Sequence, residues 1–190
     1  IQTVQPSGPY RLAGHSLGGM IAYEMAQQLL ASGETVAKIS LFDTFMPDKT
    51  NYNLNDDVDY LQAIFVNPDG SELLPLPKAH LRSLDEQSRL VFVFEKAQQV
   101  GVVAKGVSFE QTVRLFTVAK TNMKVVNAYE PKPIACSVEH FCATRTQLEF
   151  SSQEGWSDLV TDLQQYRVDT HHEGIIRGAA VIELVELMGN

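Results

Sequence analysis

The most informative stretch of this chain is GHSLGG, at positions 14–19. It matches the pattern G-x-S-x-G, in which a serine lies at a sharp turn between a β-strand and an α-helix. A short candidate strand, residues 10–13, precedes the motif. The apolar residues that follow it at helical spacing are Leu17, Met20, Ile21, Met25 and Leu29. The strand and the helix that the motif needs are both predicted, so Ser16 is predicted to be a nucleophile rather than part of a merely structural glycine turn.

The glycines of the motif have a steric reason. A nucleophilic serine at such a turn adopts a strained backbone conformation, and we expect side chains at positions 14 and 18 to collide with neighbouring backbone. The backbone N–H of Leu17 is then predicted to face an oxyanion at the N-terminus of the helix. Gly33 lies where that helix should end.

Three further segments indicate a parallel sheet. Residues 36–42 and 134–143 are compact apolar runs, as expected for strands covered on both faces, and residues 166–168 are a last short strand. A helix is predicted to begin at Ser157, and an amphipathic helix closes the chain around residues 181–188. The fold class is therefore α/β, with a mostly parallel sheet flanked by helices.

Residues 47–112 interrupt this pattern and are too long for a plain crossover between two strands. Capping-box sequences that begin at Ser83 and Ser108 predict helices over about 84–99 and 109–127. The segment is interpreted as a helical lid insertion. Its apolar side chains exceed what a solvated loop would need, and they are predicted to line the substrate-binding wall: Leu61, Ile64, Phe65, Val91 and Phe94.

A nucleophilic serine needs a base, and the base needs a carboxylate that orients it. His171 and His172 are in the loop after the last predicted strand, where the base is expected. His15 lies inside the serine turn and is expected to point elsewhere. The two remaining histidines precede a lid helix or lie within a strand; they are His80 and His140.

The acid is expected at the end of a neighbouring strand. Asp43 ends the strand that directly follows the serine helix, which puts it at the same edge of the sheet as Ser16. The rival carboxylates follow the next strand and are Glu149, Glu154 and Asp158. We expect His172 to lie within hydrogen-bonding reach of both Ser16 and Asp43.

Composition narrows the remaining possibilities. The 190 residues indicate one domain, and a net charge of −8 argues against binding to nucleic acid or to an anionic membrane surface. No apolar run approaches the ~20 residues that span a bilayer. Cys136 and Cys142 are interpreted as free thiols, which fits the cytoplasm. No metal-ligand or nucleotide-binding spacing is found, so neither a metal nor a nucleotide is expected.

Three patterns carry a family resemblance. Residues 14–26, GHSLGGMIAYEMA, resemble the serine helix of thioesterase domains from nonribosomal peptide and polyketide synthases, which carry G-H-S-x-G-G followed by A-x-E-x-A. Residues 41–43 match the L-x-D pattern that supplies the acid of that family. Residues 168–176 align with its V-x-G-x-H pattern and place the base at His172. Thr170 stands where the family usually has glycine and Glu173 where it usually has an aromatic residue, so His171 is the alternative base.

The resemblance implies an α/β-hydrolase fold with the lid at 47–112. It implies release of an acyl or peptidyl chain from the phosphopantetheine arm of a carrier protein, by hydrolysis or cyclisation. Ser16, Asp43 and His172 would form the triad, with the Leu17 N–H as oxyanion donor. The partner would be an acyl or peptidyl carrier protein in the same polypeptide, and no cofactor is expected beyond its phosphopantetheine.

The resemblance also implies that the 190 residues lack the first strands of the fold and one oxyanion donor. An exposed sheet edge would then favour self-association. Two alternative functions stay open. One is a standalone esterase, lipase or editing thioesterase with the same triad, and the other is a catalytically incomplete docking module.

Overall fold

The computed structural model describes residues 1–46, 54–66, 71–145 and 155–188. The chain forms two compact units. The first contains residues Ile1–Pro47 and Tyr129–Asn190, and the second contains Asp48–Ala128. Among the described residues, no helix combines the length and the apolar character that crossing a membrane requires.

The first unit is built on four parallel strands in the order β1-β2-β3-β4. Their bounds are β1 Tyr10–His15, β2 Val36–Phe42, β3 Ile134–Ala143 and β4 Val160–Val168. The predictions for β2 and β3 are confirmed. Among the described residues β1 has β2 as its one neighbour, and self-association through the β1 edge stays a prediction.

β4 is longer than predicted, and the helix expected at Ser157 is wrong. Residues 155–156 are 3-10 helical, residues 157–159 form a turn, and the strand begins at Val160. Trp156 explains the turn: its ring is fully buried against Tyr23, and its Nε1–H donates to the carbonyl of Thr44 at 3.1 Å. These contacts hold the chain in a turn where local sequence alone favoured a helix.

Two helices pack on the sheet. α1 (Leu17–Ala31) packs on β1 and β2, and Tyr23 and Ala26 are fully buried in the same core cluster as Ile39 of β2. The helix ends where predicted, since Gly33 takes a φ of 85° and its N–H donates to the carbonyl of Leu30. α6 (Gly178–Met188) contributes Leu184 to a second cluster of this unit.

The described residues of the second unit form four helices: α2 Asp57–Ala63, α3 Lys78–Ser83, α4 Glu86–Gln99 and α5 Phe109–Ala128. The capping box at Ser108 is confirmed. Its N–H donates to the Gln111 side chain at 2.9 Å, and the Gln111 N–H donates to Ser108 Oγ at 3.1 Å. The box at Ser83 is wrong, because Ser83 ends α3 and Asp85 caps α4 by accepting from the Ser88 N–H.

That this unit contains the lid insertion expected over 47–112 stays a prediction. The compact unit itself runs from Asp48 to Ala128. It extends beyond position 112 because α5 is one continuous helix of 20 residues and cannot be divided there.

The predicted substrate-wall residues differ in exposure. Leu61 and Phe65 are buried in the core of the second unit, and Ile64 is half-buried against the same core. Phe94 is half-buried and stacks edge-on with Phe109, while Val91 is exposed. The packing gives Leu61 and Phe65 a structural role in holding the helices together. A role of these five residues in substrate binding stays a prediction.

Ion pairs fasten α2 inside the second unit. Arg82 on α3 donates to Asp56 at 2.7 Å and to Asp59 at 2.8 Å, while Lys120 on α5 donates to Asp57 at 3.1 Å. The hydrogen bond from Arg82, together with the backbone N–H of Asp59, lowers the pKa of Asp56 to about 2. The carboxylates of α2 and its cap therefore tie this helix to α3 and α5.

Candidate active site

The predicted catalytic residues of the first unit lie at one edge of the sheet. Ser16 follows β1, Asp43 follows β2, and His172 follows β4 by a few residues. The carboxyl ends of parallel strands lie at the same edge, which is where ligands bind in sheets of this class. Topology therefore collects side chains that are far apart in sequence.

Ser16 lies between β1 and α1 in an unusual backbone conformation, with φ 55° and ψ −124°. Its N–H donates to the Phe42 carbonyl at 2.9 Å, and its own carbonyl accepts from the Gly19 N–H at 3.0 Å. Such a conformation costs about 1–3 kcal/mol in a residue other than glycine, and it persists only where the surroundings enforce it. The N–H of Leu17 begins the helix and has no backbone acceptor in the described ranges, so it is free to donate to a ligand.

The glycines around the turn that leave no room for a Cβ differ from the predicted ones. A Cβ at Gly14 would overlap the backbone of Gly18 and Gly19, as expected. A Cβ at Gly18 would meet no atom of the described residues within 4 Å, so the predicted collision at Gly18 is wrong. The tight position is Gly19, where a Cβ would lie 2.8 Å from the Cβ of Thr44. The helix turns its Gly19 face toward the chain that leaves β2.

Gly14 and Gly18 form a matched pair for a stability measurement. Gly14→Ala forces a methyl group into helix backbone that cannot move away, so we expect it to lower the free energy of unfolding by about 3 kcal/mol. Gly18→Ala adds the same methyl group to open space in a helix, and we expect a change between zero and a gain of about 1 kcal/mol. Urea unfolding followed by circular dichroism measures both. Equal losses in the two variants would contradict the steric account.

Asp43 is fully buried and holds a fixed orientation. Its φ is 44°, its N–H donates to the Phe141 carbonyl at 2.7 Å, and its Oδ1 accepts from the Ala143 N–H at 2.9 Å. Aspartate tolerates this left-handed conformation better than most residues. Oδ1 is thus occupied by β3, and Oδ2 is left for a second donor.

That second donor is His172. Its Nδ1 lies 2.7 Å from Asp43 Oδ2, and its side chain is 18% exposed. A carboxylate oxygen only accepts, so Nδ1 carries the proton and Nε2 of the neutral ring keeps its lone pair. The imidazole ring also stacks on Phe45, with ring centroids 5.7 Å apart. The His172 ring is therefore held through Nδ1 and across its plane, and no partner of Nε2 is found among the described residues.

The side chains of Ser16 and His172 are not in hydrogen-bond contact. Among the described residues, no hydrogen bond joins Ser16 Oγ to either ring nitrogen, so the predicted hydrogen bond is not formed in this conformation. Hydrogen bonds between nucleophile and base are often long in unliganded sites and tighten when substrate binds.

Two of the rival residues are in the described ranges, and both are exposed. His171 is exposed and interacts with the charge of Asp169, which is itself paired with Arg145. Asp158 is also exposed. The other two rival acids, Glu149 and Glu154, lie outside the described residues.

Two buried groups near Asp43 stay uncharged. Burial lowers the pKa of His140 to about 4, although the charge of Asp43 opposes this shift. Burial also raises the pKa of the Cys142 thiol to about 12, and the charge of Asp43 adds to this shift. Cys142 and Cys136 are both free and buried. In the described part of the chain, no group of histidine, cysteine and carboxylate side chains is arranged to hold a metal ion.

Sequence reasoning missed three contributors to this site. His15 was expected to point elsewhere, but its ring lies 4.6 Å from that of His172. Phe45 and the N–H of Ala143 were not considered at all. His15 carried a local signal, because it is adjacent to Ser16 at the end of β1. Ala143 carried none, because only the pairing of β2 with β3 brings its N–H to Asp43. Phe45 is two residues from Asp43 in sequence, but its contact with His172 depends on the path of the chain after β2 and β4.

Comparison with known proteins identifies the family. A family model described as thioesterase domain matches residues 1–187. Enterobactin synthase component F of Escherichia coli (strain K12) is 30% identical over 177 residues, which are 90% of this chain and 12% of that protein. Vanchrobactin synthetase VabF of Vibrio anguillarum is 26% identical over 189 residues, which are 99% of this chain and 6% of that protein. The chain thus spans a small fraction of the multidomain proteins that it matches.

Solved structures agree. A crystal structure of a four-domain nonribosomal peptide synthetase bound to AMP and glycine matches 98% of this chain and 14% of its own, with 28% identity and a TM-score of 0.78. The thioesterase domain SrfTE, described as cyclising the lipopeptide surfactin, matches all of this chain and 72% of its own, with 16% identity and a TM-score of 0.64. The α/β-hydrolase fold is therefore confirmed. The family match over nearly the whole length and the multidomain relatives lead to one conclusion: this chain belongs to the thioesterase domain family, a family of hydrolases.

Proposed function

We propose that this chain cleaves an acyl or peptidyl thioester from the phosphopantetheine arm of a carrier protein, through an acyl-Ser16 intermediate. The observation that supports this most is the 2.7 Å contact between His172 Nδ1 and the buried Asp43, at the sheet edge where Ser16 lies at its strained turn. Membership of the thioesterase family supports the type of bond, and the synthases among its relatives support a carrier-bound substrate.

In the proposed first half-reaction, Ser16 Oγ attacks the thioester carbonyl carbon and His172 Nε2 takes the hydroxyl proton. Negative charge forms on the carbonyl oxygen, which the Leu17 N–H stabilises. The intermediate collapses by breaking the carbon–sulfur bond, and His172 returns the proton to the departing thiol. Asp43 keeps the ring in the orientation in which Nε2 faces the reaction.

In the second half-reaction, a nucleophile attacks the ester carbonyl of acyl-Ser16. His172 takes the proton of that nucleophile and returns it to Ser16 Oγ as the bond between the acyl carbon and Oγ breaks. Water gives a free acid, and an internal amine or hydroxyl of the acyl chain gives a ring. We infer that the carrier protein belongs to the same polypeptide, because the matched relatives contain their thioesterase region within far longer chains.

The test compares two donors of the same acyl group: a carrier protein loaded through phosphopantetheine, and a small free ester. We expect a covalent acyl adduct on Ser16 in intact-mass spectra, and kcat/KM at least about tenfold higher for the carrier thioester, which is about 1.4 kcal/mol of added transition-state binding. Preference for the free ester would favour a standalone esterase. Absence of any adduct from both donors would favour a docking module.

A further inference from the structure

His15 and His172 touch in two independent ways although 157 positions separate them. His15 Nε2–H donates to the backbone carbonyl of His172 at 2.9 Å. The two imidazole rings also face each other, with centroids 4.6 Å apart and planes tilted by 35°. A carbonyl oxygen only accepts, so His15 carries a proton on Nε2.

The two partners belong to elements of different rigidity. His15 is the last residue of β1 and pairs in register with Phe42 of β2, so its backbone is held by the sheet. His172 opens a short 3-10 turn, His172–Gly174, flanked by the exposed His171. Among the described residues, the backbone hydrogen bonds of this turn are made within residues 171–177. The positions on either side of the turn are attached to the sheet, because the Arg145 N–H donates to the Thr170 carbonyl at 3.0 Å and Ile175 is fully buried against Phe141 and Val168. Among the described residues, the backbone of His172 has no backbone hydrogen bond to a strand.

His15 supplies a direct hydrogen bond from the end of β1 to the backbone of His172. Its hydrogen bond fixes the main chain of His172, and its ring limits rotation of the His172 imidazole. Asp43 holds Nδ1 of the same imidazole, and Phe45 stacks on the ring. His172 is thus held at its backbone carbonyl, at Nδ1 and across the plane of its ring, so the side chain has little freedom to rotate. In the described part of the chain, its Nε2 is the atom without a partner.

We propose that His15 is a positioning residue that holds the His172 loop against the end of β1 and so aims His172 Nε2 at Ser16. The inference rests on the proposed role of His172 as the base. His15 neither donates to nor accepts from the reacting atoms. Its effect is on geometry, and a misplacement of about 1 Å at a catalytic group can cost about 10²-fold in rate.

Two variants separate the contacts of His15. His15→Phe keeps an aromatic ring but removes the donor, and His15→Gln keeps an N–H donor of similar reach but removes the ring. We expect His15→Phe to lower kcat about 10- to 100-fold at unchanged KM for the carrier thioester. We expect His15→Gln to recover at least part of that loss. Thermal unfolding midpoints of both variants should stay close to that of the unaltered chain, since His15 is only half-buried.

A second readout is independent of catalysis. The proton on His172 Nδ1 is observable by NMR because the bond to buried Asp43 protects it from exchange. We expect this signal to broaden or disappear in His15→Phe and to persist in His15→Gln. If the unaltered chain is inactive, the proposed function is contradicted. If His15→Phe nevertheless loses the NMR signal, the positioning contact is still supported. A signal in His15→Phe as sharp as in the unaltered chain, or an unchanged kcat, would overturn the inference.

Discussion

Ser16→Ala is expected to lower thioester turnover by at least about 10⁴-fold, because it removes the only atom that can form the acyl-enzyme in the proposed mechanism. Covalent labelling by a serine-directed fluorophosphonate should disappear as well. The measurements are single-turnover release of the carrier thiol and intact mass after labelling.

Backbone strain at Ser16 calls for a second variant. Alanine is disfavoured at a φ of 55°, whereas glycine adopts it readily, so Ser16→Gly removes the hydroxyl without adding strain. Both variants should be equally inactive. Ser7→Ala, at an exposed serine of the same unit, is the control and should keep full activity. A fluorophosphonate adduct that persists in Ser16→Gly would place the nucleophile elsewhere.

The second large effect is expected at Asp43. Asp43→Asn should lower kcat by about 10⁴-fold, with little change in KM. The amide oxygen of asparagine can still accept from the Ala143 N–H, so the buried position stays satisfied. The amide nitrogen then faces His172 Nδ1 as a donor, which moves the ring proton to Nε2 and removes the base. Steady-state kinetics on the carrier thioester measure the loss.

Exposed rivals provide matched controls for that experiment. Asp158→Asn makes the same chemical change at an exposed carboxylate, and His171→Ala removes the histidine next to His172. We expect both to stay within about twofold of the unaltered kcat, because surface changes away from a site rarely exceed about 0.5 kcal/mol. A larger loss in Asp158→Asn than in Asp43→Asn would reassign the acid.

Local patterns predicted much of the first unit. The apolar runs of β2 and β3 and the serine turn are features that neighbouring residues specify among themselves. The Ser108 capping box is equally local, since both its hydrogen bonds span three residues. The helix expected at Ser157 failed because a distant partner decided the outcome: Trp156 lies at the start of a turn, where Thr44 accepts its N–H. The capping box at Ser83 failed for a local reason, since Ser83 is the last residue of α3 and Asp85 caps α4.

The site divides in the same way. Sequence by itself determined the fold class, the nucleophile candidate at Ser16, and the chain order of an acid after β2 and a base after β4, because these depend on residue type and spacing. Only the tertiary structure decided that Gly19 rather than Gly18 needs to be small, that Asp43 and His172 meet while His171 faces solvent, and that His15 braces His172. Strand register and the path of the loops determine which side chains touch when more than a hundred residues separate them in sequence. A local sequence pattern specifies neither the register nor the path.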